Sequence, residues 1–170
     1  GTDNGVVRST DGGVTWNALA LAKTNATLLV IDPAQPNTLY AATTAVCPAM
    51  PGFAGIFKSA DGGTSWTPIS RGLEDVLASC TPVNALIVDF EQTSVLYLAT
   101  GGYGVFRSVD GGVHWAPFSD GLANLDVRVL TITRGPAKAV YAGTPEGIFR
   151  LADDPLEPQT MPRHSVRYAH

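Results

Sequence analysis

Three times along the chain a serine, an aspartate, a glycine and a tryptophan recur with the same internal spacing. They are Ser9, Asp11, Gly13 and Trp16; Ser59, Asp61, Gly63 and Trp66; and Ser108, Asp110, Gly112 and Trp115. A carboxylate and a hydroxyl in a glycine turn have two chemistries open to them, metal binding and hydrogen bonding to the turn's own amides. Calcium loops gather several oxygen ligands close together, whereas each copy has a single carboxylate. A structural role is therefore expected, and no metal site. The Asp and Ser oxygens accept bonds from turn amides, the glycines adopt positive φ, and the tryptophan begins a strand and fills the seam beside it.

Other residues invite a catalytic reading. Glycosidases need two carboxylates flanking a cleft, about 5 to 10 Å apart, and Asp75 and Asp126 are the candidates, although nothing in their context marks them as a pair. His114 lies inside the third motif and His164 and His170 near the end, without the spacing of a metal site or a catalytic triad. No catalytic residue and no cofactor is assigned. Phe53, Arg71, Tyr103, Asp126, Arg128 and Glu146 are the candidate binding residues, because aromatic and charged groups on loops suit a sugar or a peptide. Glu74, Asp75 and Asp120 accompany them. Arg8, Lys58, Arg107 and Arg150 occupy equivalent repeat positions, so a structural or solvent role is the simpler reading.

The elements that position these residues follow from the repeat. The tryptophans stand 50 and then 49 residues apart, a period that marks a solenoid, propeller or array. Between the motifs an apolar run leads through a turn to a strand carrying a tyrosine. The copies are Leu28 to Asp32 with Tyr40, Ala85 to Asp89 with Tyr97, and Val129 to Thr133 with Tyr141. The constant step from run to tyrosine fixes a hairpin, with turn chemistry in Asp32-Pro33-Ala34-Gln35-Pro36-Asn37 and Arg134-Gly135-Pro136. A glycine, two apolar residues and a base follow, as in Gly104-Val105-Phe106-Arg107.

One unit thus reads as four antiparallel strands, A at 26–32, B at 37–44, C at 54–59 and D at 64–70. That is a β-propeller blade. Strand A, apolar along its length, is expected to be covered on both faces. The fold class is all-β, with two full blades and two partial ones in an incomplete ring. The repeat units are about 1–20, 26–70, 83–120 and 127–151, forming a partial propeller at 1–151. Residues 152–170, with prolines at 155, 158 and 162, form a divergent, extended tail. Ring closure takes four to eight blades, so missing blades or a second copy of the chain are expected as partners, since open repeat ends expose apolar faces and strand edges.

The Ser-x-Asp-x-Gly-x-x-Trp motif resembles the Asp-box, or bacterial neuraminidase repeat, at all four key positions in three copies. The resemblance covers about residues 1–151; the fourth unit reads Leu151-Ala152-Asp153-Asp154-Pro155 where a box should follow. It implies a propeller of the kind found in sialidases, xyloglucan-degrading glycoside hydrolases, sortilin-type receptors and photosystem II assembly factors. It also implies boxes on the rim opposite any active site. A sialidase would need an arginine triad, a tyrosine nucleophile with a glutamate, and a Phe-Arg-Ile-Pro element; Phe106-Arg107-Ser108 and Phe149-Arg150-Leu151 are merely repeats of strand C. Fold does not select function. The expectation is a non-catalytic module that binds or scaffolds a glycan or protein, with a fragment of a propeller glycoside hydrolase as the alternative.

Bulk properties narrow the partners. Of 170 residues 45% are hydrophobic and only 15% charged, below the roughly 25% usual for soluble domains, as befits strands buried on both faces. A net charge of −4 with scattered bases offers no stripe for a phosphate backbone, so nucleic acid is excluded as a partner. No apolar run reaches the roughly 18 residues of a membrane span. Topology brings the loops of Cys47 and Cys80, the two cysteines of the chain, to one face. A disulfide there would suggest an extracytoplasmic or secreted protein.

Overall fold

The computed structural model describes residues 1, 5–21, 25–44, 55–135 and 138–152. Four small antiparallel sheets follow one another along the chain. The first pairs β1 (Val7–Arg8) with β2 (Asn17–Ala18). The second holds β3 (Asn25–Ile31), β4 (Leu39–Thr44), β5 (Gly55–Ser59) and β6 (Thr67–Pro68) in sequence order. A short helix, α1 (Glu74–Ala78), leads to the third, β7 (Val83–Val88), β8 (Leu96–Thr100), β9 (Val105–Ser108) and β10 (Ala116–Pro117). The last has β11 (Val129–Ile132), β12 (Ala139–Thr144) and β13 (Gly147–Ala152). These are strands C and D, two complete blades, and strands A, B and C, as the repeat requires.

Register is conserved between blades because their turns are. Asp32 and Asp89, both buried, close the A–B turns: each accepts two amides with one carboxylate oxygen, from Ala34 and Gln35 and from Glu91 and Gln92. Their own amides bond the Thr38 and Val95 carbonyls. Both A–B pairs also carry an irregularity at one repeat position, between Ala26 and Leu28 and between Val83 and Ala85. The tyrosines lie opposite the bases, Tyr40 on Lys58, Tyr97 on Arg107 and Tyr141 on Arg150. The Lys58 ammonium sits 5.4 Å from the Tyr40 ring and the Arg107 guanidinium 5.9 Å from that of Tyr97. The repeated bases thus cover aromatic faces.

Two expectations about strands need correction. Strand D is two residues long, not 64–70, because the turn consumes the residues through the tryptophan, which precedes the strand instead of starting it. After a last backbone bond from Ile69 to the Ile56 carbonyl, the ladder passes to a side chain: the Ser70 hydroxyl accepts from the Ile56 amide and donates to its carbonyl, and Phe118 and Ser119 do the same for Val105. Gly104, at φ +79, accommodates that serine; a β-carbon there would run into the Ser119 hydroxyl. Strand A is well covered only in the third sheet. In β3 Leu29 and Ile31 are exposed, as is Val129 in β11, because each of these strands lacks a neighbouring blade on one face.

Three apolar clusters lie in the seams between sheets. Val6, Leu21, Ala26 and Ala41 fill the first. Tyr40, Ile56, Leu86, Leu98 and Trp115 are among those filling the second, and Tyr97, Val105, Val140 and Leu151 among those in the third. Helix α1, which falls within a segment read as loop, belongs to the second seam through Leu73, Val76 and Leu77. Its first turn is acidic, with Glu74 and Asp75 at the positive end of the short dipole. The Glu74 carboxylate accepts the Gly72 amide, which lowers its pKa.

Candidate functional site

The boxes form one rim, and their chemistry is spent internally. In each, the serine hydroxyl accepts the amide of the second glycine, at 2.7 to 2.8 Å, and donates to the aspartate at 2.8 to 2.9 Å. The aspartate in turn accepts the amide four residues on, at 2.9 Å, and a side-chain donor from the same residue. That donor is the Thr15 hydroxyl at 2.5 Å, the Ser65 hydroxyl at 2.6 Å and the His114 ring Nδ1 at 2.6 Å. The bonds from Thr15 and Ser9 hold Asp11 at a pKa of about 2, and those from Ser65 and Ser59 do the same for Asp61. At Asp110 burial opposes ionisation, but the amide and ring of His114 and the Ser108 hydroxyl outweigh it, again giving about 2. Both glycines of every box have positive φ, from 71° to 94°. Among the described residues no group of His, Cys, Asp and Glu has the arrangement of a metal site.

Four of the six candidate binding residues fall on loops that meet at the opposite ends of the sheets. Residues 101–104, 120–128 and 143–147 interlock through their backbones: Gly101 bridges to Asp126, the Gly104 amide bonds the Leu125 carbonyl, and the Arg128 amide bonds the Gly143 carbonyl. On this frame the Arg128 guanidinium meets the Asp126 carboxylate at 3.2 Å, and the Asn124 amide meets Glu146 at 3.1 Å. Tyr103, in the 101–104 loop of the same frame, is 41% exposed, and its amide donates to the Thr100 hydroxyl. The result is one backbone frame carrying an exposed tyrosine, an arginine–aspartate ion pair and an asparagine–glutamate pair.

Asn124 was not foreseen. Its side-chain oxygen accepts the Asp126 amide while its nitrogen reaches Glu146, so it orders two loops at once. The readable signal was an Asn two residues before an Asp in a turn-rich stretch.

Arg71 takes a different position. Its guanidinium contacts the Nε2 of His114 at 3.2 Å, and its carbonyl accepts the Trp115 amide, so it serves the third box. Phe53 and Cys47 lie outside the described residues. Cys80 follows α1 with φ +60, the one non-glycine positive φ among the described residues. Asp75 stands on α1 in the preceding inter-blade connection, exposed, while the Asp126 carboxylate is engaged by Arg128. A shallow depression of about 290 Å³ lies away from the loop face, lined by Arg107, Asp110, His114, Trp115, Pro117 and Phe118 among others.

Comparison with known proteins places this geometry. Residues 7–18 match the BNR/Asp-box repeat family. No curated protein sequence matches the chain. Among solved structures, an ancestral GH74 enzyme aligns with a TM-score of 0.58 at 19% identity, over 89% of this chain and 23% of its own. The GH74 xyloglucanase from Xanthomonas campestris aligns at 0.52 and 18% identity, over 71% of this chain and 18% of its own. YCF48 from Cyanidioschyzon merolae aligns at 0.52 and 22% identity, over 75% and 37%. The chain therefore spans between about a fifth and two fifths of the proteins it matches. At these identities the likeness concerns fold alone. One box on a two-stranded sheet and two on four-stranded sheets, aligned with part of larger propellers, give the described residues the fold of successive β-propeller blades carrying Asp-boxes.

Proposed function

We propose that this chain is part of a non-catalytic propeller that binds a glycan or a protein through the loop face opposite the boxes. The observation that carries the reading is the convergence of Tyr103, Asp126, Arg128 and Glu146 on interlocked backbone. An exposed ring on the same loop frame as paired polar groups suits recognition of a sugar or a peptide, whose apolar face stacks while its hydroxyls or amides find partners. Further blades, or a second copy, complete the ring. No cofactor takes part.

A glycan and protein array is the test. Binding without turnover, lost in Tyr103→Ala and Arg128→Ala, supports the reading; binding unaffected by both variants sinks it. The structural likeness to GH74 enzymes favours one second reading, a portion of a propeller glycoside hydrolase whose catalytic carboxylates lie partly elsewhere. Release of sugar from β-glucans or sialosides by the chain, abolished by Asp126→Asn, would favour the hydrolase. An extracytoplasmic location goes with a Cys47–Cys80 disulfide, and a thiol assay on the unreduced, denatured protein that titrates two cysteines would remove that support.

A further inference from the structure

The three boxes are alike inside and unlike outside. In the second box both glycines are buried: the first donates its amide to the Asn37 carbonyl of its own A–B turn, and the second packs on Leu19 from the preceding sheet. The third box repeats this with the Ser94 carbonyl and Ile69. Leu19 and Ile69 hold one repeat position, three residues after Trp16 and Trp66. A cation from the preceding strand C joins each contact, Arg8 donating to the Gly62 carbonyl at 3.5 Å and the Lys58 ammonium lying against Gly111. In the first box both glycines are exposed, Trp16 is 62% and Val14 82% exposed, and among the described residues nothing of this kind packs on Gly12 or Gly13.

We infer that the first box is a docking socket for the strand C–D hairpin of another Asp-box blade, one bearing Lys or Arg on strand C and an aliphatic or aromatic residue three positions after its tryptophan. Two seams of this molecule already show that occupant in place. The inference rests on the reading that further blades complete the ring, and it specifies which residues make that seam. The glycine at the second position leaves room for the apolar tip, and the first glycine is met by the cation, whose bond to the carbonyl is seen at Gly62. Arg107 and Phe118 of the third blade are the same pair one unit later: Arg107 stands at the Lys58 position and Phe118 at the Ile69 position.

That equivalence supplies the test. Gly147 aligns with Gly5, so a tandem chain joining residues 1–146 to residues 5–170 places an internal copy of the first box immediately after a blade carrying Arg107 and Phe118. With 5-fluorotryptophan incorporated, the solvent isotope shift of each ¹⁹F resonance reports exposure. In the single chain, Trp16 is expected to show a larger shift than Trp66 or Trp115. In the tandem chain the internal Trp16 loses most of its shift, and Phe118→Asp in the first half restores it.

An internal Trp16 that stays exposed, or that ignores Phe118→Asp, overturns the inference. So does concentration-independent protection of Trp16 in the single chain. Should the tandem chain fail to fold, the rule is read in the single chain, where Leu19→Ser must raise the solvent shift of Trp66 while leaving Trp16 unchanged. A ring completed without hairpin-to-box contact, seen as a defined oligomer whose Trp16 remains exposed, would sink this inference and leave ring completion standing.

Discussion

The first and third boxes share a sequence pattern and an internal hydrogen-bond scheme, yet Trp16 is 62% exposed and Trp115 5%. The indole nitrogens record the difference. Trp16 donates within its own turn, to the Gly13 carbonyl at 3.1 Å, whereas Trp115 donates across the seam to the Ile69 carbonyl at 2.7 Å. In the second box Trp66 is intermediate, half-buried with its indole still bonded to the Gly63 carbonyl. An Asp-box is therefore a self-sufficient turn whose burial comes from elsewhere. The turn itself needs only its eight residues; the energetic value of its tryptophan and second glycine depends on the blade before it.

Substitutions that separate turn from seam test this comparison. The largest contrast is expected at the second glycine. Gly112→Ala forces a β-carbon into a left-handed position, costing about 1–2 kcal/mol, and also drives it into Ile69, where overpacking adds about 1–3 kcal/mol. Gly13→Ala meets only the first of these costs, since the nearest atom is 3.9 Å away. Urea unfolding curves that show equal losses for the two variants would break the comparison.

Next comes the tryptophan. Trp115→Phe removes a buried donor's bond to Ile69 and leaves a void, for a loss of about 2–3 kcal/mol, while Trp16→Phe stays within about 0.5 kcal/mol, as exposed substitutions do. A comparable shift in unfolding midpoint for both would mean that the first box is covered in solution.

Arg71 offers a smaller effect confined to the third box. Arg71→Ala removes the guanidinium from His114 and, at an exposed site, costs less than about 1 kcal/mol. Its ring resonances are expected to move while those of the first two tryptophans do not. A uniform perturbation of all three boxes would contradict the local assignment.

The smallest effect sharpens the other half of the comparison. Asp11, Asp61 and Asp110 titrate at about 2 in the folded chain, below the ordinary 3.8. Each therefore contributes stability that is present above about pH 4 and lost as pH falls through about 2. Carboxyl ¹³C shifts are expected to give Asp11 nearly the same midpoint as Asp110 despite its exposure, because the bonds responsible lie inside each turn. An Asp11 midpoint near 4 would show that the turn does not form without a neighbour.

What could be read beforehand follows the same division. The roles of Ser59, Asp61 and Gly63 were legible because their partners lie within four positions, whereas the side-chain donor four residues after the aspartate, Ser65 in the second box, varies in type and was not singled out. Strand order was legible from the period, and the hairpin registers from the constant step to Tyr40, Tyr97 and Tyr141. The length of strand D was not, because Ser70 and Ser119 replace backbone pairing with side-chain bonds to residues 14 positions away. Helix α1 escaped because five residues give too little periodicity. On the loop face, Tyr103, Asp126, Arg128 and Glu146 were nameable as loop residues, but Arg71 belonged with them by sequence and left them in space.

The amino-acid sequence by itself determined the unit: a four-stranded blade, its turns, and a serine that bonds the aspartate and the second glycine of its own box. Tertiary structure decided which copies of that unit are finished. Leu19 and Ile69 reach boxes more than 40 residues away, and only the stacking of one sheet on the next brings them there. Local hydrogen bonds fix a turn wherever its residues occur, whereas burial requires a neighbour, and whether a box has one is a property of its place in the stack.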